Sequence, residues 1–408
     1  MARAKLARLA GLATRAASIL TLTLLGTGCV SSYASRPALE YADVEYSSPQ
    51  GTDWPESRLA LPETAKKYGL PNVPEITYVE QNRDAAPTVV MIHGLGSYLK
   101  FWRYQVDEVA KAGYHVIALD MLGYGKSDKP ATFPYTMEAM SQVVHELVKA
   151  KGLQHPILMG HSMGGQTALS YAIQFPEDLG GLVLVSPAGF ESFSPKEKQW
   201  FRNVFSSKLI LAADEEAIWG SIRYGNFYRW ESAYEWLIEE RVRAVKNSQF
   251  KAYAYANVKS VHGLLDNEFV RSNLKRIHVP TLIVHGDRDR LIPNPFLHGG
   301  NTVDIMEYGH ANIAGSKLVT LSGCGHSLQL DCHDEFNRAA LEFLKANFPA
   351  GTREVSAVPP AAPAVEPEAP PPAPPPAPPP AAAEPDSEPK EPAPEEPTEE
   401  LPGDPGAD

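Results

Sequence analysis

The chain has 408 residues and a formal net charge of −12, but neither figure describes its central part. Residues 354–408 hold thirteen acidic side chains against Lys390 and carry −12 alone, while residues 1–28 carry +4, which leaves −4 for residues 29–353. That middle stretch is not basic enough to indicate nucleic acid as a partner, and it is long enough for one large domain or a domain with an insertion.

The first 28 residues have the pattern of an export signal. Basic residues precede an apolar run from Ala16 to Leu25, which is too short for the roughly 20 residues that span a bilayer. The following Gly26-Thr-Gly-Cys29 resembles a bacterial lipoprotein cleavage site, although Gly26 stands where a leucine is expected. The resemblance implies that Cys29 is lipidated and anchors the exported chain to a membrane of the bacterial cell envelope, with ordinary cleavage and release as the alternative.

Short aliphatic runs alternate with helical patterns over the middle of the chain. Such strands predict an α/β fold with a mostly parallel, doubly wound sheet that is covered on both faces. The predicted strands are 88–93, 115–120, 156–159, 182–186, 281–285 and 317–321, and the predicted helices are 101–112, 136–151, 166–175 and 333–348. In such sheets the functional sites lie at the carboxyl ends of the strands.

Residues 187–276 interrupt this alternation with helical patterns and no clear strand. The segment holds four of the six tryptophans, Trp200, Trp219, Trp230 and Trp236. We predict a helical cap inserted between two strands, in which most aromatic side chains form a small core and a minority line a pocket.

The end of the chain, residues 351–408, is rich in proline, alanine and glutamate. Proline removes backbone donors and favours extended polyproline II, and few residues here are able to form a core. We predict a disordered acidic tail that acts as a solvated spacer rather than as a specific docking motif.

Gly160-His-Ser162-Met-Gly164 lies between a predicted strand and a predicted helix. This is the G-x-S-x-G nucleophile elbow, in which glycines avoid collisions at a sharp turn and the serine hydroxyl is held out at the sheet edge. A serine needs a base to remove its proton, and His326, which follows the last predicted strand, is favoured over the nearby His310 and His333.

Together with the Gly286-Asp-Arg-Asp-Arg-Leu-Ile-Pro293 stretch, these motifs resemble the α/β-hydrolase superfamily, in its serine-nucleophile branch. The resemblance implies a hydrolase domain over 76–350, preceded by an N-terminal extension over 29–75. It also implies the triad Ser162, Asp289 and His326, with Asp289 favoured over Asp287 as the acid. The family's oxyanion hole falls on the backbone N–H groups of Leu95 and Met163.

Cys324 and Cys332 flank His326 in the sequence. The spacing leaves two alternatives open, a disulfide that braces the histidine loop or two buried thiols. No grouping of His, Cys, Asp or Glu has the spacing of metal ligands, so we predict neither a metal nor a cofactor.

The resemblance implies acyl transfer to water through an acyl-enzyme, and the aromatic cap favours a small apolar carboxylic ester as substrate. A carbon–carbon hydrolase, a thioesterase and a cofactor-free haloperoxidase would use the same residues and stay open. A second class is a non-catalytic binding protein anchored at the surface on a hydrolase scaffold.

Overall fold

The computed structural model describes residues 32–352. The predicted signal, Cys29 and the tail beyond residue 352 lie outside the described residues. Over the described range, none of the helices has both the length and the apolar character required to cross a membrane.

The described strands are β1 Glu56–Ala60, β2 Glu75–Gln81, β3 Ala85–Ala86, β4 Thr88–Ile92, β5 His115–Leu119, β6 Ile157–His161, β7 Gly181–Val185, β8 Thr281–Gly286, β9 Lys317–Leu321 and β10 Gly351–Thr352. Eight of them form the sheet at the centre of the domain, in the order β1-β2-β5-β4-β6-β7-β8-β9. Strands β4 to β9 pair in parallel, whereas β1 pairs antiparallel with β2, and β2 antiparallel with β5. The predicted mostly parallel α/β sheet is confirmed.

Helices connect these strands and cover the sheet. The described α-helices are α1 Pro62–Tyr68, α2 Val106–Lys111, α3 Met137–Ala150, α4 Met163–Gln174, α5 Pro195–Val204, α6 Ser207–Leu211, α7 Glu215–Trp219, α8 Glu235–Ala244, α9 Phe250–Leu265, α10 Glu268–Asn273, α11 Thr302–Asn312, α12 Leu328–Asp331 and α13 His333–Asn347. The predicted helix over 101–112 is divided, since a 3₁₀ turn, Leu99–Trp102, precedes the shorter α2.

Alternate residues of the central strands face opposite sides of the sheet, and each side has its own core. Val90 and Ile92 of β4 pack with residues of α3 and α4, whereas Val89 and Met91 of the same strand pack with residues of α2 and α13. Because both faces of β4 are fully buried, all five of its residues are apolar or small, as the sequence pattern predicts.

Four described strands, β1, β2, β3 and β10, fall outside the predicted set, and of these β1, β3 and β10 have no apolar run. Strand β1 lies within the predicted N-terminal extension, and its residues are alternately exposed and half-buried at the edge of the sheet. Strand β10 takes up the first two residues of the predicted tail and pairs with β3. In both cases pairing with a neighbouring strand defines the element, and a single-sequence pattern does not show it.

The segment between β7 and β8 is the predicted helical cap, and the fold with this insertion is confirmed. It contains α5 to α10, a π-helix over Gly220–Asn226 and two 3₁₀ turns, Ser232–Tyr234 and Leu274–Arg276. Helix α5 begins with a capping box, in which Ser194 and Glu197 each satisfy a backbone N–H of the other.

Candidate active site

Ser162 lies at the turn between β6 and α4. Its backbone has φ 51° and ψ −111°, in the left-handed region that residues with a side chain seldom adopt. Hydrogen bonds hold this conformation, since Ser162 N–H donates to the Val185 carbonyl at 2.9 Å and its carbonyl accepts from Ala188 N–H at 3.0 Å. The strained turn therefore depends on the neighbouring strand β7 and the residues that follow it.

Two glycines allow the elbow to pack closely. A Cβ on Gly160 would lie 2.3 Å from the Gly164 carbonyl oxygen, and a Cβ on Gly164 would lie 2.2 Å from the Ile92 carbonyl oxygen. Since real Cβ atoms do not approach backbone this closely, only glycine fits at either position. Helix α4 can then begin against the end of β4.

His326 and Asp289 lie together at the carboxyl ends of β8 and β9. His326 Nδ1 is 2.7 Å from Asp289 Oδ2, and both side chains are buried. The other carboxylate oxygen, Oδ1, accepts the backbone N–H groups of Leu291 at 2.8 Å and Ile292 at 3.2 Å. These two donors fix the orientation of the carboxylate and direct Oδ2 at the imidazole.

Asp287, the alternative acid, instead forms hydrogen bonds with the loop that follows β9. Its Oδ1 accepts the Gly323 N–H at 2.7 Å and its Oδ2 accepts the Ser322 hydroxyl at 3.2 Å. The alternative histidines also have other partners, because His310 Nδ1 is 2.8 Å from the Ser316 hydroxyl and the His333 ring stacks on Tyr104.

The loop that carries His326 is closed by a disulfide between Cys324 and Cys332, whose Cα atoms are 5.9 Å apart. Asp331 adds a second brace, since its Oδ2 accepts the Gly325 N–H at 2.9 Å and the Tyr228 N–H of the cap at 3.0 Å. Burial raises the pKa of Asp331 above its usual value. The disulfide thus closes the histidine loop, and the hydrogen bonds of Asp331 connect this loop to the cap.

The predicted oxyanion loop follows β4 and approaches Ser162. A Cβ on Gly94 would lie 3.3 Å from Ser162 Cβ, so this glycine allows the two turns to meet. Within residues 32–352, neither the Leu95 N–H nor the Met163 N–H donates to another protein group, and Met163 opens helix α4, where such amides are free.

His93 shapes this loop. Its Nε2 accepts the Met121 N–H at 3.1 Å, so Nδ1 carries the proton and donates to the Gly94 carbonyl at 2.8 Å. Burial lowers the pKa of His93 to about 4, which keeps the ring neutral near pH 7. His93 therefore has a structural role in positioning the loop.

A cavity of about 780 Å³ lies between the sheet and the cap, within the usual range for small-molecule sites. Ser162, His326, His161 and Leu95 line its floor. Most of the remaining lining is apolar and comes from the cap, including Phe201, Phe205, Ile210, Ala217, Ile218, Ile222, Leu237, Val245, Phe250, Val261 and Leu265. Among residues 32–352, no three His, Cys, Asp or Glu side chains are grouped as metal ligands.

One cationic side chain also lines the cavity. Arg241 of α8 is half-buried, donates to the Gly96 carbonyl and to the Tyr253 hydroxyl, and lies 4.9 Å from the centre of the Tyr253 ring. It forms no ion pair with any carboxylate of the described part of the chain. A cation thus faces the oxyanion loop without a protein counter-ion.

Residues 32–54, here called the leader strap, complete one wall. Tyr41 and Val44 line the cavity, although sequence reasoning assigned this segment no role in the site. The strap contacts the cap through an ion pair between Arg36 and Glu239 at 2.7 Å, and contacts the core through Tyr46, whose hydroxyl donates to Asp120. The local sequence pattern of the strap does not predict these contacts, because the residues that it contacts lie far away in the sequence.

Comparison with known proteins agrees with this architecture. The model of the α/β hydrolase fold family matches residues 87–331. The chain is 28% identical over 276 residues to lipase 1 of Psychrobacter immobilis, covering 66% of this chain and 80% of the lipase. It is 30% identical over 263 residues to 2-hydroxy-6-oxo-6-phenylhexa-2,4-dienoate hydrolase of Comamonas testosteroni, covering 63% of this chain and 87% of that hydrolase.

The fold also superposes on a probable hydrolytic enzyme of Pseudomonas aeruginosa PAO1. The TM-score is 0.64 at 23% identity, over 77% of this chain and 99% of that one. The chain belongs to the α/β-hydrolase fold family. Within that family it is an enzyme, a serine hydrolase.

Proposed function

We propose that the protein is a carboxylic ester hydrolase with the catalytic triad Ser162, His326 and Asp289. The observation that carries the proposal is the pairing of His326 with Asp289 at the floor of a largely apolar cavity that Ser162 also lines. The lipase and esterase names among the relatives and solved structures support the same reaction class.

In the proposed mechanism, Asp289 holds the imidazole with its proton on Nδ1, which leaves the Nε2 lone pair to accept the Ser162 proton. Ser162 Oγ attacks the carbonyl carbon, and the N–H groups of Leu95 and Met163 stabilise the oxyanion that forms. His326 then donates its proton to the departing alcohol. Water, deprotonated by the same imidazole, attacks the acyl-enzyme and releases the acid.

The apolar cap wall leads to an expected chain-length dependence. Each CH₂ buried from water contributes about 0.8 kcal/mol, which corresponds to about fourfold in kcat/KM for each added methylene while the acyl chain still fits. The test is the hydrolysis of nitrophenyl esters from acetate to decanoate by the enzyme and by Ser162→Ala. Absence of Ser162-dependent turnover on every ester contradicts the proposal.

Cleavage of a carbon–carbon bond is the second candidate, and Arg241 favours it. The Comamonas testosteroni relative acts on a dienoate, and a guanidinium without a counter-ion beside the oxyanion loop is suited to bind a substrate carboxylate. Ser162-dependent cleavage of that dienoate, lost in Arg241→Gln, combined with weak turnover of all neutral esters, would favour this candidate over the esterase.

We also propose that the enzyme is exported and attached to a cell-envelope membrane through a lipid on Cys29. The basic start, the apolar run and the small residues before Cys29 support this. Mass spectrometry of the mature N-terminus tests it, with Cys29→Ser as the control. A mature chain without an acyl group on Cys29 overturns the proposal.

A further inference from the structure

Large apolar side chains are exposed on one part of the cap and on the adjacent loop that follows β8. Nine large hydrophobic side chains are exposed in residues 32–352, and five of them belong to α5, α6 and the loop that follows β8. We call this group the outer cap surface, and its members, with their exposed fractions, are Phe296 75%, Leu209 56%, Trp200 48%, Val204 44% and Leu211 38%. Exposed apolar residues that occur singly need no explanation, whereas a group of them indicates an interaction surface.

The chain and its contacts bring these residues together. Trp200 and Val204 are one turn apart on α5, so they lie on the same face of that helix. Helix α6, with Leu209 and Leu211, follows after two residues, and both helices pack against α9. The loop that carries Phe296 is fastened to α5, because His298 Nδ1 is 2.8 Å from Glu197 Oε1.

Cations accompany this apolar group. Residues 195–211 contain four lysines and arginines and a single acid, Glu197, and two of these cations, Lys198 and Arg202, pair with carboxylates outside the stretch. Lys196 and Lys208 are exposed and form no ion pair within the part of the chain that the structure describes. Helices with exposed tryptophan and leucine beside free lysines are typical of surfaces that lie at the interface of an anionic bilayer.

The start of the described chain contacts α7, the helix that follows α6. Ser32 and Tyr33 donate hydrogen bonds to the Glu215 carboxylate at 2.5 and 3.2 Å, and Glu215 begins α7, four residues after Leu211. Cys29 precedes Ser32 by three residues, which span at most about 11 Å. A lipid on Cys29 would therefore hold this part of the cap close to the membrane.

We propose that the outer cap surface docks on an anionic lipid bilayer. Phe201 of α5, Leu209 of α6 and Phe205 between the two helices line the cavity, so a docked cap places apolar side chains between the bilayer and Ser162. The further step, that acyl substrates enter the cavity from the bilayer, rests on the proposed esterase function. Docking itself does not rest on it.

The test uses the mature chain, residues 29–408, with Cys29→Ser so that no lipid is attached. Binding is measured by co-sedimentation with vesicles of phosphatidylethanolamine and phosphatidylglycerol, and with vesicles of phosphatidylcholine alone. The triple variant Trp200→Gln, Val204→Gln, Leu211→Gln removes exposed apolar groups that do not line the cavity. Val73→Gln, at a side chain 50% exposed outside the cap, is the matched control.

We expect the partition coefficient on anionic vesicles to fall at least tenfold in the triple variant and to stay unchanged in Val73→Gln. The pair Lys196→Gln, Lys208→Gln should abolish the preference for anionic vesicles. An unchanged circular-dichroism spectrum and thermal unfolding midpoint of the triple variant show that the fold is intact, and Ser162→Ala should bind vesicles normally whatever the substrate proves to be.

Two results would overturn the proposal. The first is equal vesicle binding by the parent chain and the triple variant. The second is a concentration-dependent dimer, seen by analytical ultracentrifugation without lipid and lost in the triple variant, because a second copy would then be the occupant of this surface.

Discussion

Replacing Asp289 by asparagine should abolish turnover while leaving the fold intact. The side chain keeps its shape, and the two backbone N–H groups of Leu291 and Ile292 require an oxygen at the Oδ1 position. The amide oxygen must therefore face them, and the amide nitrogen must face His326. That NH₂ group donates a hydrogen bond, so it forces Nδ1 to be the acceptor and moves the ring proton to Nε2.

The wrong tautomer cannot accept the Ser162 proton. In serine hydrolases a substitution of this kind lowers kcat about 10⁴-fold, which corresponds to about 5.5 kcal/mol of transition-state stabilisation. We expect a loss of this size for Asp289→Asn with a nitrophenyl butyrate assay at pH 8. The free energy of unfolding should change little, because the hydrogen bonds to Leu291 and Ile292 are retained.

Asp287→Asn is the matched control, since it makes the same chemical change two residues away. Asp287 contacts Ser322 and Gly323 and does not contact the imidazole. Its kcat should stay within about tenfold of the parent enzyme. If Asp289→Asn kept activity within tenfold, or if Asp287→Asn suffered the larger loss, the assignment of the triad acid would be wrong.

Other features also give measurable expectations. Replacing Cys324 and Cys332 together by alanine opens a loop with a sequence separation of 8 and should lower the free energy of unfolding by about 2.5 kcal/mol in a denaturant titration. Gly164→Ala places a Cβ against the Ile92 carbonyl and should lower the free energy of unfolding by about 3 kcal/mol or prevent the recovery of folded protein. Burial raises the pKa of the Asp120 carboxyl from 3.8 to about 6. Between these two pH values the folded protein keeps the proton and the unfolded chain has lost it, so the free energy of unfolding should fall by about 3 kcal/mol as the pH rises from 4 to 6. Asp120→Asn should flatten the dependence of the free energy of unfolding on pH, and an unchanged dependence in this variant would contradict the assignment to Asp120.

Much of the sheet and the residues proposed for the site could be predicted because their signals are local. A buried parallel strand has to be apolar throughout, and the elbow at Ser162 requires small residues at fixed spacing around it. The choice of Asp289 over Asp287 came from the family pattern alone. The structure adds a physical reason, namely the backbone donors that orient the Asp289 carboxylate.

The remaining features depend on contacts between distant residues. Strand β1 has no apolar run because it lies at an edge of the sheet, and Tyr41 and Val44 have no motif that marks them as cavity residues. Arg241 is one of several charged residues on α8, and only the approach of Gly96 and Tyr253 distinguishes it. Tertiary packing gives these residues their roles, so a single sequence does not show them.

The leader strap has a consequence for the order in which the protein folds. Asn247 of the cap donates a hydrogen bond to the Leu39 carbonyl across 208 residues, and Arg36 pairs with Glu239 over a similar distance. Closing loops of this length costs entropy that only a preformed cap can offset. The leader strap, although it is synthesised before the cap, can therefore pack only after α8 has formed, and the cavity wall that holds Tyr41 and Val44 is among the last parts of the enzyme to form.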